Sequence, residues 1–93
     1  MTKEVKVNQK FTLSVEANPT TGYTWEVHVD ETMLQLAEKQ FDLYSTETIG
    51  GGGTETFTFI PLKTGETHVT MQYKRPWEEE AVEEKQIQVV ITE

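Results

Sequence analysis

Three features of the sequence predict an all-β domain of about seven strands. Apolar residues alternate with polar ones in several stretches, which is the period of a strand with one buried face. Turn signals recur at the roughly 8–12-residue spacing that is typical of a sandwich or barrel. No stretch carries an apolar stripe of three helical turns. A chain of 93 residues has room for one domain, residues 1–93, with one modest core.

The strand candidates differ in clarity. Two are weak, Glu4–Val7 and Leu34–Phe41, and the second could instead form a helical turn. Trp25 lies in the middle of a strong candidate, so we expect it in the core. The five clearer candidates, in which apolar residues occupy every second position, are Phe11–Ala17, Tyr23–Val29, Glu55–Leu62, Glu66–Lys74 and Lys85–Thr92.

Composition excludes several classes of partner. Eight Lys and Arg against 16 Asp and Glu give a net charge of −8, so the chain lacks the basic character that nucleic-acid binding requires. The absence of cysteine excludes a disulfide framework and a thiolate nucleophile. No apolar run approaches the ~20 residues that span a bilayer, and no signal peptide is apparent. We expect a monomer without a membrane partner, and the compartment is left open.

The sequence argues against an enzyme. Neither serine, Ser14 or Ser45, lies near a histidine, and nothing indicates an apolar pocket in which Asp42 and a glutamate could act as acid and base. His28 and Glu26 fall on the same face of a strand candidate, which leaves a metal-dependent module as a minor alternative. No cofactor is predicted.

Three connections between the predicted strands are unusual, and the other three are short turns. The unusual connections follow the second, fourth and sixth predicted strands. They are residues 18–22, residues 42–54 and the segment beginning at Arg75. In an antiparallel sandwich every strand reverses the chain, so alternate connections lie at the same end. We therefore expect these three to share one end of the domain.

Each connection allows a plain interpretation and a functional one. Asn18, Pro19 and Gly22 form a good turn, or a stiff loop that presents Thr20 and Thr21 to a partner. The four glycines from 50 to 53 form a flexible linker, or a backbone that approaches a partner closely. No Lys-Ser/Thr pair follows these glycines, so they do not predict a phosphate site.

Trp77 breaks the strand alternation and follows Pro76, so it is predicted to lie outside the core. Exposed Trp and Arg are the residues most enriched at binding hot spots, although Trp77 could instead fold back over the end of the sandwich. The acidic run from Glu78 to Glu80, continued by Glu83 and Glu84, reads as a solvated loop face that could tune the rate of association.

The three connections, taken in order, resemble the chagasin family of cysteine-protease inhibitors. That family carries Asn-Pro-Thr-Thr-Gly plus an aromatic, then Gly-X-Gly-Gly, then Arg-Pro-Trp or Arg-Pro-Phe. Here Gly51 fills the variable position, and the acidic stretch after Trp77 departs from the family pattern. The matching residues are Asn18, Pro19, Thr20, Thr21, Gly22 and Tyr23, then Gly50, Gly51, Gly52 and Gly53, then Arg75, Pro76 and Trp77.

The resemblance implies an immunoglobulin-like antiparallel β-sandwich that inhibits papain-like cysteine peptidases reversibly and competitively. It implies that Thr20 and Thr21 sit over the catalytic cysteine and histidine of the peptidase. The glycine loop would follow the unprimed side of the cleft through its main chain. Arg75 and Trp77 would contact the primed side. The alternative is a non-inhibitory immunoglobulin-like module for adhesion or binding.

Overall fold

The computed structural model describes residues 2–18, 22–43 and 52–93, without the side chain of Leu43. Their secondary structure is seven β-strands, and none of these residues forms a helix that could cross a membrane. The weak candidate beginning at Leu34 is a strand and not a helical turn. The strands are β1 (Thr2–Lys6), β2 (Phe11–Ala17), β3 (Thr24–His28), β4 (Leu34–Leu43), β5 (Gly53–Pro61), β6 (Gly65–Lys74) and β7 (Glu83–Thr92).

The strands form two sheets, with the order β1-β7-β6-β3 in one and β2-β5-β4 in the other. The prediction of a seven-stranded all-β sandwich is confirmed. The antiparallel expectation is wrong for one pair, because β1 runs parallel to β7. The chain leaves β1 through a turn at Asn8, whose φ of 65° is tolerated by asparagine, and enters the other sheet. The first strand therefore pairs with the last one and not with its neighbour in sequence.

The core lies between the two inner faces and is built from the predicted alternation. Phe57 and Phe59 of β5 are almost completely buried, and Phe11 stacks on Phe59 with the ring centroids 5.4 Å apart. Each side chain of this size contributes about 1.5–3 kcal/mol by leaving water. Trp25 is 3% exposed, which confirms that it belongs to the core. Its Nε1–H donates a 2.9 Å hydrogen bond to the Glu16 carbonyl.

Strand β4 is an edge strand, and its irregularity explains its weak sequence signal. A bulge between Leu36 and Glu38 shifts the register against β5 by one residue, so the apolar alternation changes phase there. Beyond the bulge, Lys39 lies opposite the inward-facing Phe57, and its Nζ is 3.1 Å from Oε1 of the buried Glu55. Bulges and lysine side chains are devices that keep edge strands from pairing with other chains.

The turn between β3 and β4 is a compact polar turn. The hydroxyl and the backbone N–H of Thr32 both donate to Asp30 Oδ1, at 2.6 and 2.9 Å. These hydrogen bonds favour the charged carboxylate and hold the pKa of Asp30 below its usual range. These hydrogen bonds within the turn account for Asp30 and Thr32, so no binding partner is needed to explain them.

Gly53, the first residue of β5, lies closely against β4. A Cβ at this position would overlap the Asp42 carbonyl oxygen and lie 2.8 Å from Phe41 Cζ. Gly53→Ala should therefore destabilise the domain by about 1–3 kcal/mol, the usual range for overpacking. The measurement is urea unfolding followed by tryptophan fluorescence. Thr54→Ala, on the opposite face of β5, is the control with a smaller expected loss; equal losses in both variants would contradict the packing argument.

Candidate functional site

The strand register brings the described parts of the three unusual connections to one end of the sandwich. In the three-stranded sheet, Ala17 at the end of β2 and Leu43 at the end of β4 both lie opposite Gly53. In the four-stranded sheet, β3 begins at Thr24, opposite Lys74 at the end of β6. The connections that follow β2, β4 and β6 therefore leave the sheets at the same end, which we call the loop end.

The structure describes eight of the thirteen residues predicted for the site. Outside the described residues lie Pro19, Thr20, Thr21, Gly50 and Gly51, so their predicted roles stay predictions. Gly53 is a buried residue of β5, and close contacts within the chain explain why this position requires glycine. The described members are Asn18, Gly22, Tyr23, Gly52, Gly53, Arg75, Pro76 and Trp77.

A stack of aromatic rings rises from the core to the loop end. It begins at buried Trp25, whose ring centroid is 4.8 Å from that of Tyr73 on β6. Tyr73 in turn stacks on Tyr23, with centroids 5.4 Å apart and planes inclined by 29°. The Arg75 guanidinium lies over the Tyr23 ring, 4.5 Å from its centroid. A cation over an aromatic face is attracted by the ring quadrupole, so the stack ends in a charged, planar group.

Trp77 lies outside the core, as expected, and is 72% exposed. The Arg75 guanidinium carbon is 5.9 Å from the Trp77 ring centroid, so Arg75 lies between two aromatic residues of different connections. The Glu78 backbone N–H donates to the Arg75 carbonyl at 3.0 Å, and Arg75 Nη1 pairs with Glu78 Oε1 at 3.3 Å. These contacts hold the turn that carries Trp77.

Gly22, in the connection after β2, lies next to the connection that follows β6. Its φ is +84°, a conformation that glycine adopts without a steric cost. A Cβ at this position would lie 3.5 Å from Trp77 Cη2 and 3.9 Å from Arg75 Nε. The glycine backbone therefore lies directly beside the exposed indole, so the described parts of the two connections meet there.

Tyr73 is a residue of this region that the sequence pattern did not single out. It occupies an apolar position in the alternation of β6, so it reads as a core residue. In the structure it is half-buried, and its hydroxyl accepts the Asn18 backbone N–H at 3.1 Å. Its place near the end of a strand, two residues before Arg75, was the available signal.

The histidine alternative gains no support from the described residues. His28 Nε2 lies 4.0 Å from Glu26 Oε2, and Glu26 also pairs with Lys74 Nζ at 3.4 Å. Within residues 2–18, 22–43 and 52–93, no group of three histidine or carboxylate side chains is placed to hold a metal ion.

Comparison with known proteins agrees with this architecture. Chagasin of Trypanosoma cruzi is 34% identical over 83 residues, which cover 82% of this chain and 74% of chagasin. Amoebiasin-1 of Entamoeba histolytica is 33% identical over 63 residues, which cover 68% of this chain and 62% of amoebiasin-1, less than two thirds of its length.

A solved structure gives the same result. The crystal structure of the cysteine protease inhibitor EhICP2 from Entamoeba histolytica superimposes with a TM-score of 0.86 at 26% identity, covering 97% of this chain and 85% of EhICP2. This match confirms the immunoglobulin-like form of the sandwich. The family model described as chagasin family peptidase inhibitor I42 matches residues 4–91. The chain therefore belongs to the chagasin family, whose members are inhibitors of cysteine proteases and not enzymes.

Proposed function

We propose that this protein inhibits papain-like cysteine peptidases reversibly and competitively, by blocking the active-site cleft with three loops from the loop end. The observation that carries the proposal is the exposed indole of Trp77, which the chain supports with Arg75 and places beside Gly22. A large aromatic side chain on a rigid base is the usual anchor of a protein–protein interface. The similarity to chagasin and EhICP2 supplies the class of partner.

Each loop has a distinct part in the proposal. Thr20 and Thr21 cover the catalytic cysteine and histidine, and Trp77 contacts the primed side of the cleft. The glycine segment, residues 50–53, follows the unprimed side through main-chain hydrogen bonds. In this proposal the loops present no peptide bond in register for attack, so the peptidase is blocked without a covalent step. The inhibitor acts as a monomer and needs no cofactor.

The expected energetics are consistent with tight binding by the loop end. Protease–inhibitor interfaces bury about 1,600 Å² in total, and a nanomolar complex requires roughly −12 kcal/mol. An aromatic anchor such as Trp77 supplies ~2 kcal/mol or more of this. Ordering each glycine costs about 1–2 kcal/mol, so the glycine segment must gain main-chain hydrogen bonds on binding. The first and third loops lose little freedom if their ends are already fixed.

Titration of the purified protein into papain or a cathepsin tests the proposal. Initial rates with a fluorogenic substrate should fall stoichiometrically, and the apparent inhibition constant should rise in proportion to substrate concentration. Papain with its cysteine blocked by a small alkylating group should still bind one inhibitor per enzyme by calorimetry. Absence of inhibition at micromolar protein would overturn the proposal and favour the non-inhibitory binding module.

Trp77→Ala should weaken inhibition by about 30-fold, which corresponds to ~2 kcal/mol. Its thermal unfolding midpoint should change little, because the side chain is 72% exposed. Leu62→Ala is the matched control: Leu62 is 39% exposed and follows β5 at the opposite end of the sandwich, so its inhibition constant should stay at the wild-type value. A large loss of stability in Trp77→Ala would mean that the indole packs as part of the core.

A further inference from the structure

Tyr73 contacts the first loop at both of its ends. At the entrance, its hydroxyl accepts the Asn18 backbone N–H, one residue after β2 finishes. At the exit, its ring stacks on Tyr23, one residue before β3 begins. The bond to Asn18 joins residues 55 positions apart in sequence, so it fixes tertiary and not local structure.

The position of Tyr73 is itself fixed by the core. The buried Trp25 ring packs against the Tyr73 ring, with the centroids 4.8 Å apart. Trp25 is in turn held by the hydrogen bond from its Nε1–H to the Glu16 carbonyl. The backbone of Tyr73 pairs with Trp25 on one side and with Glu83 on the other, and it accepts a hydrogen bond from the Val82 N–H at 2.9 Å. Tyr73 therefore lies on an inner strand of the four-stranded sheet, close to the loop end, and is held on both sides.

From these contacts we infer that Tyr73 is a positioning residue, which sets the geometry of the first loop without touching the peptidase. The inference rests on the proposed inhibitory function. By holding Asn18 and Tyr23 together, Tyr73 fixes the distance between the two ends of the segment that carries Thr20 and Thr21. Through Tyr23 it also supports Arg75, and so it sets the first loop against the turn that carries Trp77.

The physical advantage is a smaller entropic cost of binding. A loop whose ends are held in the bound geometry before contact loses less freedom when it enters the cleft. Loss of the hydroxyl acceptor should widen the range of positions that the Asn18 end of the loop samples. The ring stack with Tyr23 and Trp25 would remain, so the effect should be confined to loop geometry.

Tyr73→Phe tests this inference, since it removes the hydroxyl and keeps the ring. The inhibition constant against papain should rise about 2- to 12-fold, the range expected for one hydrogen bond. In the free protein, the Asn18 amide should exchange with solvent faster by a similar factor, as measured by NMR. Ser14→Ala is the matched control, because it also removes one hydroxyl, whose bond to Thr56 Oγ1 joins β2 to β5 away from the loop end.

The outcomes separate the inference from the function on which it rests. Weaker inhibition together with faster Asn18 exchange, with Ser14→Ala unchanged in both, supports the positioning role. Unchanged inhibition by Tyr73→Phe overturns it, and so does weaker inhibition without a change in Asn18 exchange, which would indicate direct contact with the peptidase. Equal weakening in Ser14→Ala would also overturn it in favour of general destabilisation. A wild-type protein that does not inhibit would overturn the proposed function, and unchanged Asn18 exchange would still count separately against the positioning role.

Discussion

Among the described residues, two hydrogen bonds join the two sheets at the loop end and fix its arrangement. Trp25 Nε1–H donates to the Glu16 carbonyl at 2.9 Å, and the Asn18 N–H donates to the Tyr73 hydroxyl at 3.1 Å. Both bonds connect the end of β2 with the other sheet. Apolar burial is non-directional, whereas a hydrogen bond fixes the relative position of two particular atoms. Directional bonds at this end fix where the first loop begins relative to the strands that carry the third.

The aromatic stack extends this fixed point towards the surface. The ring centroids of Tyr73 and Tyr23 are 5.4 Å apart. The Arg75 guanidinium carbon lies 4.5 Å from the Tyr23 centroid and 5.9 Å from the Trp77 centroid. An arginine is suited to this place because its planar guanidinium stacks on aromatic faces, which a lysine ammonium cannot do in the same way. The exposed indole is thus held by the same side chains that define the first loop. In the proposed complex, Trp77 and the described ends of the first loop would therefore not have to be brought together on binding.

Period-two alternation was sufficient to predict the strands, because it reports burial on one face. It was weakest for β4, where the bulge after Leu36 changes the phase and the exposed Lys39, instead of an apolar residue, lies opposite Phe57. The parallel pairing of β1 with β7 carries no local signal, since it joins the first strand to the last. The contacts of Tyr73 with Asn18 and Tyr23 have no local signal for the same reason, because they join distant parts of the chain. Local patterns show which face a residue occupies, and distant pairing decides what it meets there.

The family motif therefore contains scaffold residues as well as candidate contact residues. Gly22 is required for its φ of +84°, Gly53 for its close approach to Asp42, and Tyr23 for its stack on Tyr73. Each of these requirements exists before any peptidase is present. Trp77 differs, because its side chain is 72% exposed and stays available to a partner. A motif residue that the fold itself requires is weak evidence for contact with a peptidase. An exposed motif residue is stronger evidence for such contact.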